Sequence, residues 1–202
     1  MIKNLDECYK CPDFMIMPAS YNDDIPNLEK LYIMIIIKRG IYKGQTHVLE
    51  FNAKYGSSTE YYFPYSPPFV RFITKIFHPN ISVTGIICVD ILKEIDKWSA
   101  QYSIVNVMTS IMLLLDFPNN SSPYNIESSD MYIQCNKKIK SEKNGKKLSL
   151  IEEERIEEEC FNEYSKITKK YANTNISNYI TMFNEHELII CENKITKLKI
   201  IN

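Results

Sequence analysis

Two hydrophobic periods divide this chain, and the order in which they occur constrains the fold more than any other feature. The first half carries short runs rich in β-branched and aromatic residues. Leu31–Ile37 is continuously apolar, and His47–Ala53 alternates, with Leu49, Phe51 and Ala53 on one side and Glu50 and Asn52 on the other. These read as a buried and a half-buried strand, with Phe69–Thr74 as the next. The second half changes to a helical period: from Ser103, residues Ile104, Val107, Met108, Ile111, Met112 and Leu115 form one stripe. Strands first and helices later predict an α+β domain built on an antiparallel sheet, not alternating α/β.

The intervening signals refine this picture. Residues 1–10 suit one short helix, while Pro12 and Ala19–Pro26 read as loops, as does Gly56–Glu60. Phe63-Pro64-Tyr65-Ser66-Pro67-Pro68 cannot be helix, because three prolines remove donors and fix φ. Phe77–Gln101 is irregular yet keeps large apolar residues, including the only tryptophan, Trp98, so it must fold against something. After the first helical stripe, Phe117-Pro118-Asn119-Asn120 is a stop. Ile126–Ile139 reads as a second helix and Lys137–Lys147 as a basic linker. Ser149 and Glu152 form a capping-box signature that opens a third helix, with Ile156, Cys160, Tyr164, Ile167 and Tyr171 on one face. Its acidic run, Glu152–Glu159, reads as a solvated face.

Composition excludes several functions. With 202 residues the chain is one domain, or one domain with an appendage. Its 24 basic and 25 acidic residues leave a net charge of −1, which provides no field for binding a nucleic-acid backbone. The longest apolar run falls far short of the ~20 residues a membrane span needs, and the N-terminus lacks the shape of a signal peptide. A cytoplasmic or nuclear protein with reduced thiols is expected. Cys8 and Cys11 form an isolated C-x-x-C, and His47, His78 and His186 form no cluster, so no metal site is expected. Phosphate-loop, dinucleotide-binding and serine-elbow motifs are all missing.

One ordered set of motifs carries chemistry: Phe63-Pro64-Tyr65-Ser66-Pro67-Pro68, Val70-Arg71-Phe72, His78-Pro79-Asn80-Ile81, Gly85-Ile86-Ile87-Cys88-Val89-Asp90-Ile91-Leu92 and Trp98-Ser99. A thiol suits a carrier of an activated acyl group, because a thioester keeps most of its reactivity towards amines. Cys88 is the candidate nucleophile: its apolar flanks, Ile86, Ile87, Val89 and Ile91, taken alone favour an inert core cysteine, and the surrounding motifs reverse that reading. Asn80 is the second candidate: an amide can donate to the oxyanion of aminolysis, and asparagine is also a common turn residue.

From about Leu31 to Tyr132 the chain resembles the ubiquitin-conjugating enzyme family. The resemblance implies a UBC-like α+β fold: a short N-terminal helix, a four-stranded antiparallel meander, an active-site loop and C-terminal helices. It implies a core domain at 1–172, with an insertion around 137–159, and an extension at 173–202. The implied function is to accept ubiquitin from an activating enzyme as a thioester on Cys88 and pass it to lysines of a substrate protein with a ubiquitin ligase. No cofactor is implied, ATP being consumed upstream.

The same resemblance places Asp90 and Ser122 beside Cys88 and Asn80 as catalytic residues, and gives Asn80 an oxyanion role or support of the active-site loop. It makes His78, Pro79 and Trp98 structural, sets Asn119 against the modifier's tail, and assigns ligase contact to Tyr65, Ser99 and Ala100. Two alternatives stay open: a ubiquitin-like modifier in place of ubiquitin, suggested by Gly40-Ile41-Tyr42-Lys43-Gly44, and a non-catalytic binding module of this fold. The chain departs from the family pattern at Ser122, where many members carry an acid, and at Ala100, where a proline is usual. The acidic insertion of the cullin-ligase branch, otherwise suggested by Ser122-Pro123-Tyr124-Asn125, is missing between Leu92 and Trp98.

Overall fold

The computed structural model describes residues 8, 11, 13–22, 25–54, 62–93, 95–172 and 177–183. The expected helix at 1–10 (apart from Cys8), the loop at 56–60, His186 and most of the 173–202 extension lie outside these residues. Among the described residues there are six strands: β1 (Phe14–Pro18), β2 (Tyr21–Asn22), β3 (Ile25–Pro26), β4 (Lys30–Ile36), β5 (Thr46–Asn52) and β6 (Phe69–Phe72). An antiparallel sheet in the order β1-β4-β5-β6 forms the main layer, and β2 and β3 make a two-residue pairing where a plain loop was expected. The helices are α1 (Asp90–Lys93), α2 (Ile104–Asp116), α3 (Ile126–Lys143) and α4 (Leu150–Ala172).

The inner face of the sheet builds the core. Phe14 and Ile16 of β1, Leu31, Ile33 and Ile35 of β4, Leu49 and Phe51 of β5, and Val70 and Phe72 of β6 meet Ile104, Val107, Met108, Ile111 and Leu115 of α2. Ser103 caps α2 with a reciprocal box: its Oγ accepts from Asn106 N at 3.3 Å, and its N–H donates to Asn106 Oδ1 at 2.8 Å. The capping box expected at Ser149 and Glu152 is present on α4, with Ser149 N donating to Glu152 Oε2 at 2.8 Å.

Three expectations need correction. His47–Ala53 was expected to be half-buried, but Val48 and Glu50 are buried as well. A helical segment at 177–183 lays Phe183 and Tyr179 on the outer face of the sheet, against Met17, Met34 and Val48. Glu50 sits between Lys30 (2.9 Å) and Arg71 (3.3 Å). Burial alone would raise its carboxyl, yet the hydrogen bonds and charges of those two cations hold it below the ordinary range. Next, the expected linker from Lys137 is helix: α3 runs to Lys143, whose ammonium meets Glu153 at 3.1 Å and Glu157 at 2.9 Å on α4. Finally, the buried stripe of α4 is Phe161, Tyr164, Thr168 and Ala172, rotated from the expected face so that Tyr171 is exposed.

Polar groups explain that rotation. Tyr42 Oη donates to the carbonyl of Phe77 at 2.7 Å and so accepts from Tyr164 Oη at 3.1 Å, which in turn accepts from Ser128 Oγ at 2.7 Å. Thr168 Oγ1 accepts from Gln45 Nε2 at 2.8 Å. Gln45 Oε1 in turn faces His47 Nε2, and Thr74 Oγ1 faces His47 Nδ1, which places the imidazole proton on Nε2. Satisfying these buried groups outweighs a purely apolar choice of helix face.

Burial depresses His47 to about 4. His78 is depressed by burial to about 3, against the opposing effect of its hydrogen bond to Leu114 O. Both folded values lie below the unfolded 6.5, so the unfolded state takes up protons first as pH falls. Stability is full above ~6.5 and declines below it, by ~2 kcal/mol for each histidine at pH 5. Urea unfolding at pH 7.5 and 5.0 should differ by about 4 kcal/mol; equal midpoints would refute the buried neutral state. Glu50 does not confound this window, because its contribution fades only below its own ordinary range.

Candidate active site

The chain leaves β6 and folds back on itself before reaching Cys88. A tight turn at Ser82–Gly85 reverses it, with Gly85 N donating to Ser82 O at 2.9 Å. Gly85 has φ 84°, and a Cβ there would collide with the carbonyl of Phe72, so only glycine lets the turn lie against β6. The returning strand pairs Ile87 with Ile81, and Cys88 N donates to Asn80 O at 2.8 Å. The His78-Pro79-Asn80 turn therefore fixes the backbone of the cysteine.

The same turn anchors a second loop. Pro79 O accepts from Tyr124 N at 2.8 Å and Asn125 N at 3.0 Å. Asn80, fully buried, donates from Nδ2 to Asn119 O at 2.6 Å and accepts at Oδ1 from Asn119 N at 2.8 Å. His78 joins the turn to α2: Nδ1 accepts from Asn80 N at 3.0 Å and Nε2 faces Leu114 O at 3.0 Å. That imidazole is neutral with its proton on Nε2, and both nitrogens are occupied, so it is no base for Cys88.

Cys88 is half-buried, with Sγ 3.9 Å from the carbonyl oxygen of Ser122. Asp90 opens α1 and pairs with Lys97 at 3.0 Å in an exposed contact worth at most ~1 kcal/mol. The structure thus brings Cys88, Asn80, Asn119 and Ser122 together, while the carboxylate of Asp90 is engaged by Lys97. Trp98 Nε1 donates to Pro64 O at 2.7 Å, tying the loop that holds Tyr65 to the one that holds Ser99 and Ala100. Tyr65 is 80% exposed and Ala100 is exposed, while Ser99 is half-buried and its Oγ accepts from Gln101 N.

Lys93 was missed from sequence. Its Nζ lies 2.8 Å from Cys88 Sγ and 4.3 Å from the centroid of the Tyr124 ring. Burial opposes its charge, but hydrogen bonds to Cys88 and Tyr124 outweigh that and raise Lys93 above its ordinary value. The signal was a lysine one helical turn beyond the cysteine, overlooked by a search for a histidine partner. Among the described residues no cluster of three or more His, Cys, Asp or Glu could hold a metal ion, and no helix is long and apolar enough to cross a membrane.

Fold and site together define a cysteine-centred α+β domain whose thiol stands between a buried turn and a loop pinned to it. A family model described as "Ubiquitin-conjugating enzyme" matches residues 2–146. The chain belongs to the ubiquitin-conjugating enzyme family. Among curated relatives, "Ubiquitin-conjugating enzyme E2 2" of Neurospora crassa is 47% identical over 70 residues, covering 35% of this chain and 45% of the relative. The protein of the same description from Aspergillus fumigatus gives the same figures. "Ubiquitin-conjugating enzyme E2-20 kDa" of Schizosaccharomyces pombe is 44% identical over 70 residues, or 35% of this chain and 39% of the relative. The match thus spans less than half the length of these curated relatives.

Proposed function

We propose that the chain is a ubiquitin-conjugating enzyme that carries ubiquitin as a thioester on Cys88 and delivers it to substrate lysines. The observation that carries this reading is the placement of Cys88: its backbone is fixed by Asn80 O, while its sulfur stays accessible beside the 117–125 loop. Cys8 and Cys135 are buried by comparison, and burial pushes the Cys135 thiol up. In the first step the Cys88 thiolate attacks the thioester held by an activating enzyme, whose own thiolate leaves. In the second a substrate amine attacks the Cys88 thioester, a C–N bond forms, the C–S bond breaks, and the sulfur departs as thiolate.

Asn80 acts on this reading through the loop it holds, because both ends of its amide are engaged by Asn119. Asn119 lines the path of the modifier's tail. Ser122 offers a backbone carbonyl near the sulfur and no carboxylate, so deprotonation of the incoming amine falls to solvent. A charging reaction with ATP, an activating enzyme and ubiquitin tests the function on a non-reducing gel. A thiol-labile adduct is expected with ubiquitin. An adduct only with a ubiquitin-like modifier would reassign the cargo, and none with any modifier would leave a binding module.

Tyr65 provides the ligase anchor on this reading, its ring free of the core and its loop braced by the Trp98–Pro64 bond. Tyr65→Ala should lower ligase-stimulated discharge by about tenfold or more relative to its own ligase-free rate. Thermal unfolding should move by no more than ~0.5 kcal/mol. An unchanged ligase response would place the contact elsewhere.

A further inference from the structure

Two cysteines that the proposed chemistry does not use meet between α3 and α4. The helices run antiparallel: the rings of Tyr132 and Phe161 lie 5.3 Å apart towards one end of the contact, and Lys143 reaches Glu153 and Glu157 towards the other. Cys135 stands one turn beyond Tyr132 on the same face of α3, and Cys160 directly precedes Phe161 on α4. Both belong to the main core, Cys135 buried within it and Cys160 packed against it while partly open to solvent. Burial pushes the Cys135 thiol up; Lys138 opposes this and Cys160 adds to it, so both lie within electrostatic range of Cys135.

Cys160 also lines a cleft of about 330 Å³ whose walls carry Lys138, Lys146 and Arg155 among three glutamates. Two of these cations sit in exposed pairs, Lys146 with Glu142 at 3.6 Å and Arg155 with Glu159 at 3.8 Å. Such pairs contribute little and yield readily to a competing ion. A reagent that carries both carboxylates and ammonium groups matches walls of both signs. A partly exposed thiol among cations is also the setting in which cysteines react.

We propose that Cys135 and Cys160 are a redox-active thiol pair: Cys160 reacts with a small charged disulfide of the glutathione type, admitted through the cleft, and Cys135 then closes an internal disulfide that staples α3 to α4. In the first step the Cys160 thiolate attacks one sulfur of the oxidant. A new S–S bond forms, the oxidant's own S–S bond breaks, and one glutathione leaves as thiolate. In the second step the Cys135 thiolate attacks the Cys160 sulfur of the mixed disulfide, and the second glutathione leaves. The two thiols give up two electrons and two protons, and the oxidant becomes two molecules of reduced glutathione. The order follows from burial, which hides Cys135 from the oxidant and leaves it to act second.

The test treats the reduced full chain with oxidised glutathione in native buffer, blocks the remaining thiols, and maps the peptides without reduction. A chain with glutathione on Cys160 should appear first. It should give way to one linked between Cys135 and Cys160, at a rate of closure unaffected by tenfold dilution, and dithiothreitol should reverse the link. Cys135→Ala should stop at the Cys160 adduct, and Cys160→Ala should leave Cys135 unmodified. The linked chain should melt about 5–10 °C above the reduced one, as expected when a loop of roughly 25 residues is closed. Cys160 joined to a different cysteine, separate adducts on the two thiols, or both left free would overturn the proposal. So would an equal yield of the link in concentrated urea, where the fold no longer places the thiols, or a linked chain that melts no higher than the reduced one.

Discussion

Cys88→Ser is expected to replace the thiol-labile adduct by one that survives reducing agents and falls to mild alkali, with delivery to amines slower by at least about a thousandfold. The physical reason is the leaving group. A thiolate is a good leaving group and departs readily from a thioester. A serine hydroxyl is a far weaker acid than a thiol, so its alkoxide leaves reluctantly. The substitution is nearly isosteric at a half-buried position, so the fold should stay intact. Cys88→Ala should remove both adducts. A thiol-labile adduct remaining in Cys88→Ser would move the carrier to another thiol, for which Cys11 and Cys160 are the half-buried candidates among the described residues.

Asn80→Ala is expected to damage stability and delivery together. It removes both partners of the Asn119 backbone from a fully buried position. An unsatisfied buried donor or acceptor costs ~1–3 kcal/mol, so the pair amounts to about 3 kcal/mol. For a chain of this size that corresponds to a fall in Tm of roughly 6–12 °C. Residues 117–123 should become the first site of proteolytic cleavage, and delivery to amines should fall more than charging does. Asn80→Asp keeps the bond from Asn119 N but sets a carboxylate against Asn119 O, so it should not rescue the loop. A loss of delivery with unchanged Tm and unchanged cleavage would instead favour direct oxyanion donation by Asn80.

How much of this was legible in the sequence depended on the range of the interactions. The α2 stripe and the Ser149–Glu152 cap are local, involving residues three or four apart, and both were readable. Strands β4 and β5 were readable for the same reason. The fourth strand of the sheet, β1, was expected in number but not located, because five residues between Pro12 and a polar loop are too few to establish a period. The face of α4 was misjudged because Tyr164 and Thr168 are held by hydroxyl and amide partners on Tyr42, Ser128 and Gln45, far away in sequence. At the site, the order of motifs singled out Cys88 and Asn80, the family resemblance added Asn119 and Ser122, and the fold brings the four together. It could not show that both ends of the Asn80 amide meet Asn119, or that Lys93 turns back onto the sulfur.

The helical segment over the outer face of the sheet has a consequence for how the chain is made. The residues it covers, Met17, Met34 and Val48, belong to β1, β4 and β5, whereas Tyr179 and Phe183 are synthesised more than a hundred residues after β6 ends at Phe72. At ~5–20 residues per second, the ribosome needs about 5–20 s to cover that interval. For all of that time a methionine-rich apolar strip on the nascent sheet faces water with no cover of its own. It is a ready surface for a chaperone or for another nascent chain.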